Sequence, residues 1–174
     1  LIERAPQSED TAKAVTRFEG ILGRIRSGGY LRPREARQAE TERDLLKSSF
    51  HAARGEFDKA IELYLRIDRL AESGDLTPSQ RERLRIGLGD AYIGRVSARG
   101  SEGNGGASPD PAADVEAFAQ AAQSYDALAR DNDLMVRSKA ASILAAGVWL
   151  KAGKPEEAVE RLTKKHRRPV QGRE

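Results

Sequence analysis

Cysteine is absent from the 174 residues, and histidine occurs only at His51 and His166. Without cysteine there are no disulfides, thiolate-bound metals or cysteine nucleophiles, and oxidising and reducing compartments stay equally open. Two isolated histidines fall short of the convergent ligand set that zinc requires. Aromatic residues make up only 5% of the chain, so its core must be built from Ala, Leu, Ile and Val. No apolar run approaches the ~20 residues of a membrane span, and no signal-peptide core is visible. The chain opens on Leu1 instead of Met. It therefore reads as a fragment or a processed product, with room for a targeting or anchoring segment ahead of it.

Strand-type alternation is scarce, while charged residues reach 33%, the proportion expected of solvent-facing helices laced with ion pairs. The fold class is all-α, in one domain over residues 1–174. A formal charge of +3, from 30 basic and 27 acidic residues, does not by itself require a nucleic-acid partner.

Helical spacing of Ala14, Val15, Phe18, Leu22 and Ile25 predicts a leading helix over residues 11–26, stopped by Ser27-Gly28-Gly29. A first helical hairpin is expected over 33–73. Leu31-Arg32-Pro33 opens its first helix, whose narrow stripe is Ala36, Ala39, Leu46, Phe50 and Ala53, interrupted by Arg43. Its second helix carries Phe57, Ala60, Ile61, Tyr64, Asp68 and Ala71, widened by Leu63, Ile67 and Leu70, and so is covered on two sides. Thr77-Pro78-Ser79-Gln80 reads as a capped helix start with a capping box. It begins a second hairpin over 78–131, with Leu84, Leu88, Ala91, Tyr92 and Val96 on its first helix and Phe118, Ala121, Ala122, Tyr125, Leu128 and Ala129 on its second. Between them, Ala98 to Pro111 is rich in Gly, Ser and Pro and is expected to be a flexible insertion. After the turn residues Asp131-Asn132-Asp133, a third hairpin is expected over 134–165. Ala140, Ala141, Leu144, Ala145, Val148 and Trp149 face inward from its first helix, and Ala158, Val159 and Leu162 from its second. A basic tail over 166–174 follows.

Gly55-Glu56-Phe57-Asp58-Lys59-Ala60-Ile61-Glu62-Leu63-Tyr64 and Gly153-Lys154-Pro155-Glu156-Glu157-Ala158-Val159-Glu160-Arg161-Leu162 follow one pattern. In each, a helix-ending Gly precedes a new helix with a small Ala at the crossing and a large apolar residue one turn on. This pattern resembles the second helix of a tetratricopeptide repeat, and Leu88-Gly89-Asp90-Ala91-Tyr92 resembles its first. Ala121 and Ala158 stand about one repeat apart, against a family repeat of roughly 34 residues, whereas Ala60 and Ala121 are separated by one repeat plus the insertion. The resemblance covers about residues 44 to 163. It departs from the family in the split middle hairpin and in lacking Pro at the repeat ends. It implies stacked antiparallel α-hairpins, a degenerate tetratricopeptide-like α-solenoid of about seven helices. Tyr125-Asp126-Ala127-Leu128-Ala129, with Ala140 to Ala145 and the Gly153 turn, is similar to bacterial envelope-associated repeat proteins; envelope and cytoplasm both fit.

The function the resemblance implies is a non-catalytic scaffold whose groove holds a peptide, a helix or a folded partner. The groove residues expected from the first helices are Arg43, Lys47, His51, Arg85 and Tyr92. No cofactor, metal or catalytic residue is expected. Glu156-Glu157 falls in the first turn of a helix, where carboxylates complement the helix dipole, and no adjacent base makes them an acid/base pair. Gly87, Gly89 and Gly94 lie inside a helical pattern, so close helix packing accounts for them better than phosphate binding. Tyr64, Tyr92, Tyr125 and Trp149 sit at core-facing positions. Arg24, Arg26, Arg32, Arg34 and Arg37, with Lys164 to Arg168, are what an alternative RNA-associated function would use, although acidic residues interleave with the first group.

Overall fold

The computed structural model describes residues 7–29, 32–71, 76–102, 110–131 and 138–163. Seven helices and no strand lie among them: α1 Gln7–Ser27, α2 Pro33–Ala53, α3 Phe57–Ala71, α4 Pro78–Glu102, α5 Pro111–Arg130, α6 Ser138–Lys151 and α7 Pro155–Thr163. Each helix packs on the next in sequence, and α4 also rests on α2.

Local chemistry sets the ends. Pro33 takes the first helical position of α2, and the Arg32 amide donates to Glu35 Oε2 at 2.9 Å. At α4 the expected capping box forms. The Thr77 amide donates to Gln80 Oε1 at 3.1 Å, and the Gln80 amide donates to Thr77 Oγ1 at 3.3 Å. Gln80 Nε2 also reaches the Gln38 carbonyl at 3.2 Å, so this cap ties α4 to α2. Asp110 caps α5 by accepting from the Ala113 amide at 3.0 Å.

Gly55 and Gly153 both adopt left-handed φ, at 77° and 70°, and the two turns share one hydrogen-bond pattern. The Gly55 amide donates to the Ala52 carbonyl at 3.0 Å, and the Gly153 amide donates to Leu150 at 3.1 Å. The next amides, of Glu56 and Lys154, reach back to His51 and Trp149, each at 2.9 Å. The matching sequence patterns thus build matching turns.

The core collects Ala60, Ile61, Tyr64 and Ile67 of α3, Leu84, Leu88, Ala91 and Tyr92 of α4, and Ala121, Ala122 and Tyr125 of α5. Small and ring-bearing residues interlock there. A Cβ added at Gly87, Gly89 or Gly94 would lie under 3 Å from the rings of Tyr64, Tyr125 and Phe57 respectively, so these glycines let α4 approach both neighbours.

Several expectations need correction. α1 begins at Gln7, four residues before the expected start. Ala98 to Glu102 belong to α4, and Pro111 opens α5, so helix occupies both ends of the expected insertion. Arg99 Nη1 lies 3.7 Å from Asp114 Oδ1 and holds these two helices together beside it. The buried face of α2 is Thr41, Asp44, Leu45 and Ser48, not the expected Ala36, Ala39, Leu46, Phe50 and Ala53. This polar face is tolerated because Thr41 and Ser48 donate to the carbonyls of Arg37 and Asp44, while Asp44 is ion-paired to Arg43 and Arg66. In the third hairpin Ala140, Leu144, Val159 and Leu162, expected to face inward, are exposed. Residues 103–109 of the insertion, the Asn132-Asp133 turn and the basic tail lie outside the described residues.

Candidate partner-binding cleft

A cleft of about 390 Å³ opens where α2 and α4 meet above α3. Ser49 and Ala52 line it from α2, Tyr64 from α3, and Glu82, Arg83, Ile86, Gly87 and Asp90 from α4. Gly87 is the reason it exists: with no side chain there, the Tyr64 ring lies against the α4 backbone and its hydroxyl reaches 3.2 Å from Ser49 Oγ. On the next turn of α4, Asp90 Oδ1 accepts from the Tyr125 hydroxyl at 2.5 Å.

The electrostatics follow from this packing. Burial raises the Tyr64 phenol above its ordinary range. Burial, and then the Asp90 carboxylate, raise that of Tyr125. Both hydroxyls therefore remain protonated at neutral pH and can act as donors. Arg83 is ion-paired across the seam to Glu42 of α2, which neutralises the guanidinium. The cleft wall thus combines hydroxyls, the Asp90 and Glu82 carboxylates and the apolar surface of Ala52 and Ile86. Such a wall can seat a side chain and hydrogen-bond a backbone. Among the described residues no group of three or more His, Cys, Asp or Glu is placed to hold a metal ion, and no helix is long and apolar enough to cross a membrane.

The five groove residues expected from sequence lie elsewhere. Arg43 Nε donates to Asp44 Oδ1 at 2.9 Å, and Lys47 is ion-paired to Glu19 of α1. His51 Nδ1 lies 2.8 Å from Glu56 Oε2 in the α2–α3 turn. Hydrogen bonds from Lys59 and then His51 bring the Glu56 carboxyl down from 4.5 to about 2. Arg43, Lys47 and His51 share one helical stripe, turned away from Ser49 and Ala52. Arg85 Nη2 sits 2.7 Å from Asp68 Oδ1 of α3. Tyr92 is buried, and the Arg95 guanidinium stacks 5.2 Å from its ring centroid. None of the five lines the cleft.

Sequence reasoning missed Ser49, Tyr64, Arg83, Ile86 and Asp90 as cleft residues. One signal for them was legible: a glycine inside α4 must face something large, and Tyr64 was the ring within reach.

No protein-family model matches the chain, and no curated protein or solved structure matches it.

Proposed function

We infer that the chain is a non-catalytic helical scaffold that binds a peptide or helix of a protein partner in the α2–α4 cleft. The observation that carries this reading is the cleft itself, a concave site between two successive first helices with apolar surface and fixed hydroxyl and carboxylate groups. Preformed helices hold these side chains in place, so binding orders little of the scaffold. The tetratricopeptide-like arrangement of stacked hairpins belongs to the same reading. It draws support from the paired Gly55 and Gly153 turns and from the packing of α4 on both α2 and α3.

The charge distribution favours a protein partner over RNA. Arg66, Arg83, Arg85 and Arg161 are spent on acidic residues of neighbouring helices, so an RNA function would draw on other basic residues, among them the exposed Arg24, Arg32 and Arg34 and the Lys164 to Arg168 segment outside the described residues.

A photo-crosslinking residue at Ile86 tests the reading in cells. The expected result is one discrete protein adduct, lost when Ser49→Arg fills the cleft and not formed from the same probe at Arg17 on α1. Equal labelling from both positions would sink the cleft. A nucleic-acid adduct whose yield falls steeply with salt would favour the RNA function instead.

A further inference from the structure

Each hydroxyl proton at the α2–α4 cleft already has an acceptor. Ser49 Oγ donates its single proton to the Leu45 carbonyl at 3.0 Å, an atom that can only accept. In the 3.2 Å contact between Ser49 Oγ and Tyr64 Oη, the Tyr64 hydroxyl is therefore the donor and Ser49 the acceptor. On the next turn of α4 the Tyr125 hydroxyl gives its proton to Asp90 Oδ1 at 2.5 Å. What remains on Ser49, Tyr64 and Asp90 is lone pairs, and an occupant of the cleft finds acceptors there and no donor.

The charges of the wall point the same way. Arg83 is the one cation among the described lining residues, and it is ion-paired to Glu42 of α2. Asp90 is exposed, and among the described residues the Tyr125 hydroxyl is the one donor it meets, whereas a carboxylate has about four acceptor positions. Glu82 stands eight residues earlier, about 12 Å along the same stripe of α4, with Ile86 midway. Glu82 already has an interaction of its own, so Asp90 is the acid on which an occupant's charge would centre. The floor beneath is the Tyr64 ring, drawn against the α4 backbone at Gly87.

These features discriminate between occupants. An acidic side chain would find Arg83 taken and would lie against the Asp90 carboxylate. An aliphatic one would strip water from that carboxylate and return neither charge nor hydrogen bond, which costs affinity. A lysine or arginine meets both requirements, because its methylenes can lie on Ile86 and Ala52 while its N–H groups reach the acceptors.

We propose that the α2–α4 cleft selects its peptide through a lysine or arginine of the partner, seated with its stem on Ile86 and Ala52 and its charged end at Asp90. This rests on the peptide-binding reading of the cleft and adds the side chain that the peptide must supply.

Selection of a phage-displayed library of random peptides on the immobilised chain tests the two separately. Selected peptides whose binding is lost in Ser49→Arg are cleft binders. Among them the expected result is a shared basic position, at which replacing Lys or Arg by Gln weakens binding to the unaltered protein by about tenfold or more. Asp90→Asn is the matching change in the cleft. Asparagine keeps an oxygen for the Tyr125 hydroxyl, so the charge goes while that hydrogen bond stays, and circular dichroism confirms that both variants keep their helix content. In Asp90→Asn the same peptide replacement should lose most of its effect, since the two changes remove one interaction. Cleft binders with no basic position, or with one that matters equally in Asp90→Asn, overturn the proposal and leave the peptide cleft standing. If no selected peptide is sensitive to Ser49→Arg, the cleft reading itself fails and takes this proposal with it.

Discussion

Glycine acts in this chain chiefly through what it allows a neighbour to do. At Gly89 an added Cβ would sit 2.7 Å from Cζ of the buried Tyr125 ring, which has no room to retreat. Gly89→Ala is expected to lower stability by about 1–3 kcal/mol through overpacking. Gly20→Ala, with nothing within 4 Å, should raise it by about 0.5–1 kcal/mol through helix propensity. Urea unfolding midpoints check the pair, and equal shifts would mean that the α4–α5 seam is loose. Glu56 carries the other residue-scale consequence. Its folded carboxyl is held near 2 by Lys59 and His51 against an ordinary 4.5. Because the folded value is the lower one, the stabilisation is complete above about pH 4.5 and fades as the pH falls toward 2. A titration of the Glu56 carboxyl carbon by NMR should find its midpoint near 2 and move it upward in high salt. A midpoint at 4.5 would show that neither partner holds it.

For single helices, the spacing of apolar residues located the element better than it located the buried face. α3 and α4 bury Ala60, Ile61, Tyr64, Ile67, Leu84, Leu88, Ala91 and Tyr92 as expected, because each helix is covered on two sides and a wide apolar arc survives an error of one position. α2 does not, because its buried face is largely polar and its alanines lie to the side. Thr41, Asp44 and Ser48 are acceptable there only through the local carbonyls and the two arginines that satisfy them. The crossing alanines were legible: Ala60, Ala121 and Ala158 are all buried. Ala121→Leu is expected to cost about 1–3 kcal/mol, read as a lower thermal midpoint, because the extra volume has no void to enter. An unchanged midpoint would place α5 farther from its neighbours than the structure does.

Across the whole molecule, charge pairs join one helix to another: Asp44 to Arg66, Glu42 to Arg83, Asp68 to Arg85 and Asp126 to Arg161. Most are half-exposed and contribute little each. Asp44 and Asp126 are the buried acids among them, and Asp126 gathers α5, α6 and α7 at once. It accepts from Trp149 Nε1 at 3.1 Å and from Arg161 Nε at 2.7 Å. Removing its counter-charge in Arg161→Met should cost about 3–5 kcal/mol by stranding a buried carboxylate. Arg161→Met combined with Asp126→Asn should recover much of that loss in denaturant unfolding. If the double variant is as unstable as the single one, the Arg161 stem contributes by packing and not by charge.

The chain alone determined that it would be helical, where α2 and α4 begin, and that Gly55 and Gly153 would turn it back. Those outcomes depend on residues within a turn or two of one another: caps, prolines, left-handed glycines and a period of 3.6. Which residues line the α2–α4 cleft and which acid each arginine meets were decided only by the tertiary structure. Side chains far apart in sequence compete for the same partners, and only the packing of helices against one another determines the pairing. Lys47 illustrates this, since it meets Glu19 of α1, and the cleft is lined instead by Ser49, Tyr64 and Asp90.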